Sequence, residues 1–101
     1  MSDTDGLNEA LLQASKEGNL ELVRSLITEG ADVNVKDKEN ATSLMRAVSR
    51  NYKEVVKLLL EKGADVNAVN DWGYSPLKYA KKLNLKEMEN ILREAGATDN
   101  K

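Results

Sequence analysis

Gly30-Ala31-Asp32-Val33-Asn34 returns as Gly63-Ala64-Asp65-Val66-Asn67, 33 positions later. A worn third copy, Gly96-Ala97-Thr98-Asp99-Asn100, follows after another 33. A fixed period of this size marks a stacked array, in which each unit buries its apolar side only against its neighbours. The same shift, worked outward from the pentapeptide, superposes Leu11, Leu44 and Leu77, and then Ala14, Ala47 and Ala80. It also superposes Glu21, Glu54 and Glu87, and Leu26, Leu59 and Leu92. Three copies of one unit account for nearly the whole chain.

The shared register resembles the ankyrin repeat, whose unit is a hairpin-like turn followed by two antiparallel helices. The match runs through Asp37, Thr42-Ser43-Leu44, Ala47, the apolar run Glu54 to Leu60, and Gly63 to Asn67. In the last copy it runs through Gly73, Ser75-Pro76-Leu77, Ala80, Glu87 and Gly96-Ala97. It covers roughly residues 7 to 100. The resemblance implies an all-α solenoid of three helix-turn-helix repeats with hairpin-like finger loops. The expected division is a single domain over 1–101, with repeats at about 5–37, 38–70 and 71–101.

Composition narrows the chemistry. The chain has 101 residues and a formal net charge of −2, with 32% of its residues charged. That is a mixed-sign surface and not the basic stripe that nucleic acid demands, so no nucleic-acid partner is expected. Cysteine is absent, which removes disulfides and thiolate metal sites and fits a cytoplasmic protein. Histidine is absent too, and with it the commonest general base and metal ligand. The polar start carries no signal-peptide pattern, and no apolar run reaches membrane-spanning length, so no membrane role is expected.

Taken in order, residues 1–4 read as a frayed polar tail, and Asp5 as the N-cap of the first helix. Leu7, Leu11 and Ala14 recur at helical spacing. After a break at Gly18-Asn19, Leu20 to Glu29 forms a second helix with Leu22, Val23, Leu26 and Ile27 inward. Gly30 stops it in a left-handed C-terminal cap. Val33 and Val66 should then dip inward, while Asn34 and Asn67 tie the turn through local side-chain hydrogen bonds. Residues 35–41 and 68–74 form two fingers. Thr42 and Ser75 cap the helices that follow, and Pro76 takes a first helical position, where its missing N–H is harmless. Lys53 to Glu61 and Lys86 to Ala95 complete the pairs.

The end repeats turn polar where they have no neighbour. Val23 and Val56 become Glu89, Ile27 and Leu60 become Arg93, and Val48 becomes Lys81; at the other end Leu58 and Ile91 answer to Ser25. Terminal caps require this, and the chain reads as a complete three-repeat array. Against the family pattern, Met45 and Lys78 stand where it has histidine, which removes that residue's inter-repeat hydrogen bonds. Asn40, Asn51 and Asn84 stand where it has glycine, and Asn tolerates the left-handed conformation.

Nothing in this pattern assembles an enzyme, a cofactor site or a metal site. Asp32 and Asp65 recur in register with the cap, as fold residues do. Asp3-Thr4-Asp5-Gly6 and Asp32-Val33-Asn34 lack the later acidic ligands of a calcium loop. The resemblance instead implies a non-catalytic module that binds a partner protein through the concave face made by finger tips and first helices. Carried over position by position, that face is Lys38, Glu39, Ala41, Arg46, Ser49 and Arg50 in the second repeat. In the third it is Asp71, Trp72, Tyr74, Tyr79, Lys82 and Leu83, while the first offers Gln13, Lys16 and Glu17. Trp, Tyr and Arg dominate interface hot spots, so the expected protein-binding residues are Arg46, Arg50, Asp71, Trp72, Tyr74, Tyr79, Lys82 and Leu83. The competing reading of Trp72 folds it over the stems of Lys36 or Lys38. Tyr52, near a helix–helix break, reads as packing. The cations along the first helices would steer a partner with acidic character. Two alternatives stand beside this reading: an engineered scaffold with no natural partner, and a homodimer through the Trp72 face.

Overall fold

The computed structural model describes residues 4–98; the tail at 1–3 and the end of the third capping copy, Asp99-Asn100, lie outside them. Six helices follow in order: α1 Thr4–Glu17, α2 Leu20–Thr28, α3 Ser43–Ser49, α4 Lys53–Glu61, α5 Pro76–Lys82 and α6 Lys86–Glu94. Among the described residues extended pairing is limited to one antiparallel bridge, Lys36 to Thr42, at the base of the first finger. The fold is an all-α ankyrin-type solenoid. First helices pack in a row, α1 on α3 on α5, and each carries its second helix beside it.

Each helix ends in the same way, and the repeat period follows from that ending. At α2, the Gly30 N–H donates to the Ile27 carbonyl and the Ala31 N–H to the Leu26 carbonyl. This paired cap needs a left-handed residue, and Gly30 has φ +115°. Gly63 and Gly96 repeat it after α4 and α6. The first helices use it too, with Gly18, Asn51 and Asn84 in the left-handed position, the two asparagines at φ 63°. Thr42 and Ser75 cap α3 and α5 by accepting from the N–H groups of Met45 and Lys78.

The core runs the length of the stack through Leu11, Val23, Leu44, Val56, Leu59, Leu77, Met88 and Leu92, all fully buried. Tyr52 packs against that core, as its place at the break suggested. Met45, in the histidine position, is buried in a small apolar cluster with Ala41, Ala68 and Tyr79. Packing there replaces the missing polar bonds and joins the two finger bases.

Four local expectations need correction. Thr4 is not part of a frayed tail, because α1 begins there; Asp5 is not the cap but lies inside the first turn, where its charge suits the helix dipole. Leu22 is 41% exposed, although its counterparts Val55 and Met88 are buried, because no described residue covers that side of α2. Asn34 and Asn67 do not tie their own turns. That bond comes from Asp32 and Asp65, whose carboxylates accept from the N–H groups of Asn34 and Asn67. The asparagine side chains reach the next repeat instead. Asn34 donates to the Gly63 carbonyl at 3.3 Å and accepts from the Asp65 N–H at 2.7 Å. Asn67 does the same to Gly96 and Thr98.

Candidate functional site

The two fingers are built around one residue each, and these two hold the same register position. In the first finger the Asp37 carboxylate accepts from the N–H groups of Glu39 and Ala41, and the Asp37 N–H donates to the Ala41 carbonyl. In the second, Asn70 Oδ1 accepts from the N–H groups of Trp72 and Tyr74, both at 3.0 Å. The Asn70 N–H donates to the Tyr74 carbonyl. Positive φ at Asn40 (63°) and Gly73 (79°) closes each tip. The two fingers are docked edge to edge. The Asp71 N–H donates to the Glu39 carbonyl at 2.9 Å, and Asn40 Nδ2 to Asp71 Oδ1 at 2.8 Å.

Each organising residue is in turn held by the following first helix. Arg46 pairs with the Asp37 carboxylate and lies 3.9 Å from that of Glu39. At the equivalent place Tyr79 accepts a hydrogen bond from Asn70 Nδ2 at 2.8 Å. Partial burial pushes the Asp37 carboxyl up. The hydrogen bonds from Arg46, Ala41 and Glu39 and the guanidinium charge outweigh it, so the group titrates below the ordinary carboxylate value.

These bonds sort the sequence-derived residues. Asp71 is committed to joining the fingers, and Arg46 and Tyr79 to holding them. Tyr74 is half-buried: its ring lies 4.9 Å from that of Tyr79, with the ammonium groups of Lys78 and Lys82 at 5.0 and 5.9 Å from its centre. Trp72 is 65% exposed, so it does not fold over Lys36 or Lys38. Its backbone is pinned by Asn70 while its indole faces solvent. Leu83 is 47% exposed, but it caps the far end of α5. A seven-residue helix separates it from the finger by about 10 Å along the axis. Arg50 is exposed at the matching end of α3, with no side-chain bond to any described residue.

Two features escaped the sequence reading. One is Asn70, buried at 6% exposure, which orders Trp72 and Tyr74. Its signal was the register itself, since Asp37 stands one period earlier. The other is an open groove of about 630 Å³ between α1 and the first finger. Gln13, Lys16 and Lys38, three residues assigned to the face from sequence, line it together with Asp5, Asn8, Glu9 and Leu12. The spacing 5, 8, 9, 12, 13 and 16 traces one stripe of a helix. Among the described residues no three acidic, His or Cys side chains are placed to hold a metal ion. No described helix is long and apolar enough to cross a membrane.

Helix pairs stacked in register, with docked fingers along one edge, define a helical-repeat protein. The chain belongs to the ankyrin repeat family: the family model described as ankyrin repeats in three copies matches residues 11–101. Proteins of this family are generally protein–protein interaction modules and typically non-catalytic. No curated protein is similar enough to the chain to count as a match.

Proposed function

We propose that this chain is a non-catalytic binding module that takes a partner protein on the face formed by its second finger and first helices, with Trp72 as the anchor. The carrying observation is the exposed indole on an ordered backbone: Trp72 is 65% exposed while its N–H is held by the buried Asn70. A large apolar side chain on a fixed turn loses little conformational freedom on binding, which is what makes aromatic residues hot spots. Tyr74, Arg50, Lys82 and Leu83 extend the surface. Arg46, Asp71 and Tyr79 contribute by holding the fingers in place. The charges and the family fit work in an aqueous compartment such as the cytoplasm.

The test is site-directed photocrosslinking from position 74, followed by affinity measurement on the purified partner. Trp72→Ala should weaken that affinity by about thirtyfold, the roughly 2 kcal/mol of a hot spot. A loss under about threefold removes Trp72 from the site. A second reading, self-association, rests on the same exposed indole. Light scattering from low micromolar to near-millimolar concentration separates the two, because a dimer lost in Trp72→Ala would make a second copy the partner.

A further inference from the structure

The first helices of the second and third repeats carry charge of one sign. Neither α3, Ser-Leu-Met-Arg-Ala-Val-Ser, nor α5, Pro-Leu-Lys-Tyr-Ala-Lys-Lys, contains a carboxylate, although the whole chain has more acidic than basic residues. Arg46 is neutralised by Asp37 and Glu39. Lys78, Lys82 and Arg50 are not. Among the described residues none of the three is paired with a carboxylate. Elsewhere the chain does pair its lysines, Lys53 with Glu87 across repeats and Lys57 with Glu54 along α4.

The unpaired lysines are also placed. Both ammonium groups lie over the ring of Tyr74, at 5.0 and 5.9 Å from its centre, and the ring is itself held against Tyr79. Lys78 and Lys82 are four apart on one helix, an arrangement of like charges that destabilises an isolated helix. An anion between them relieves that repulsion. Trp72 sits in the same finger turn as Tyr74, their two N–H groups sharing Asn70 Oδ1. Arg50 and Leu83 occupy one register position at the ends of α3 and α5, neighbours whose axes lie about 8–10 Å apart as packed helices do.

Resting on the reading of this face as a protein-binding surface, we propose that its partner is an acidic protein segment. Its carboxylates meet Lys78 and Lys82 over Tyr74 and extend toward Arg50, and an apolar side chain covers Trp72. The combination excludes a purely apolar ligand, which would bury two ammonium groups without partners. It also gives the long-range steering that a chain of net negative charge otherwise denies to acidic partners.

The probe is a fluorescein-labelled dodecapeptide of alternating Glu and Asp with one central Leu, titrated with the full chain while anisotropy and Trp72 emission are followed. A sequence-matched Lys peptide, a Ser/Gly peptide with the same Leu, and single-stranded oligothymidine serve as competitors. The expected result is binding of the acidic peptide with a change in Trp72 emission, weakened about tenfold or more between 50 and 500 mM salt. Lys78→Glu with Lys82→Glu should weaken it at least as much and leave the thermal midpoint within a few degrees, while Trp72→Ala lowers affinity without changing the salt slope. Binding of the Ser/Gly or Lys peptide at Trp72 without preference for the acidic one overturns the acidic selectivity and leaves the protein-binding reading intact. Failure of every peptide overturns the acidic inference, and self-association by light scattering would then overturn the hetero-partner reading too. Tighter binding of the oligonucleotide replaces the acidic protein with nucleic acid.

Discussion

Ser43 and Pro76 hold the same register position, the first residue of a first helix, and meet its demands differently. Pro76 has no N–H to leave unpaired and a φ already set for the helix. Ser43 is fully buried, and its hydroxyl has no hydrogen-bond partner. Thr42 before it is already extended, at φ −100° and ψ 167°, as a residue preceding proline must be. Ser43→Pro is therefore expected to stabilise the chain by about 0.5–1 kcal/mol, read as a higher urea midpoint at unchanged slope. Asp37 makes a second case. Its carboxyl titrates below the unfolded value, so its contribution is present above that value, near pH 4, and is lost as pH falls through the folded one. Asp37→Asn, which copies Asn70, should cost about 1 kcal/mol at pH 7, the scale of a partly exposed pair. The gap to the parent chain should narrow below pH 4 in urea titrations across pH. A gap that stays constant down to pH 2 would mean that the carboxylate charge contributes nothing.

At the scale of elements, one contact explains why a break between paired helices carries glycine in one repeat and asparagine in the others. Gly18, Asn51 and Asn84 share a register position and a left-handed backbone. A Cβ on Gly18 would lie 2.8 Å from the ring of Tyr52, which covers that turn from the next repeat. Tyr52 corresponds to Leu85, a smaller side chain that lines one surface hollow together with Asn51. The two sites thus covary in size within one chain. Gly18→Asn should destabilise by about 1–3 kcal/mol through overpacking, and Tyr52→Leu placed on top of it should recover part of that loss. Additive effects in this double-mutant cycle, measured by urea unfolding, would mean that the ring swings clear. This contact also marks how far the sequence could be read. The repeat register located all six helices, the caps at Thr42, Ser75 and Gly30 and the left-handed asparagines, because each depends on residues close in sequence, but it misplaced the start of α1 at Asp5. It could not show that Tyr52 lies on Gly18, that Arg46 is spent on Asp37, or that Leu22 lies open while Val55 is buried. Those facts depend on which side chains of one repeat meet those of another, and the pattern within a repeat does not carry that. Asn70 was legible in principle, through Asp37, but a change from acid to amide hid the shared role.

At the scale of the whole molecule, a stacked array holds together through the bonds between repeats, and here the asparagines of the capping pentapeptide supply two of them at each junction. Asn34 joins the first repeat to the second through Gly63 and Asp65, and Asn67 joins the second to the third through Gly96 and Thr98. Asn8, outside the register, makes one bond of the same kind to the Asp32 N–H within the first repeat at 2.7 Å. Because each repeat contacts only its neighbours, weakening one junction should loosen the end beyond it and leave the other end intact. Asn34→Ala and Asn67→Ala are each expected to cost about 0.5–1.5 kcal/mol per bond, at the low end because these groups are near water. Hydrogen exchange gives the sharper reading. Asn34→Ala should speed exchange in α1 and α2 more than in α5 and α6, and Asn67→Ala should do the reverse. Asp65→Ala breaks the bond within the turn and serves as the contrast, since it leaves both side-chain atoms of Asn34 and Asn67 in place. If Asn34→Ala and Asn67→Ala raise exchange evenly along the chain, the three repeats unfold as one cooperative unit and the asparagines add stability without dividing it. Polarised patterns would instead make each asparagine the link whose strength sets how independently an end repeat opens.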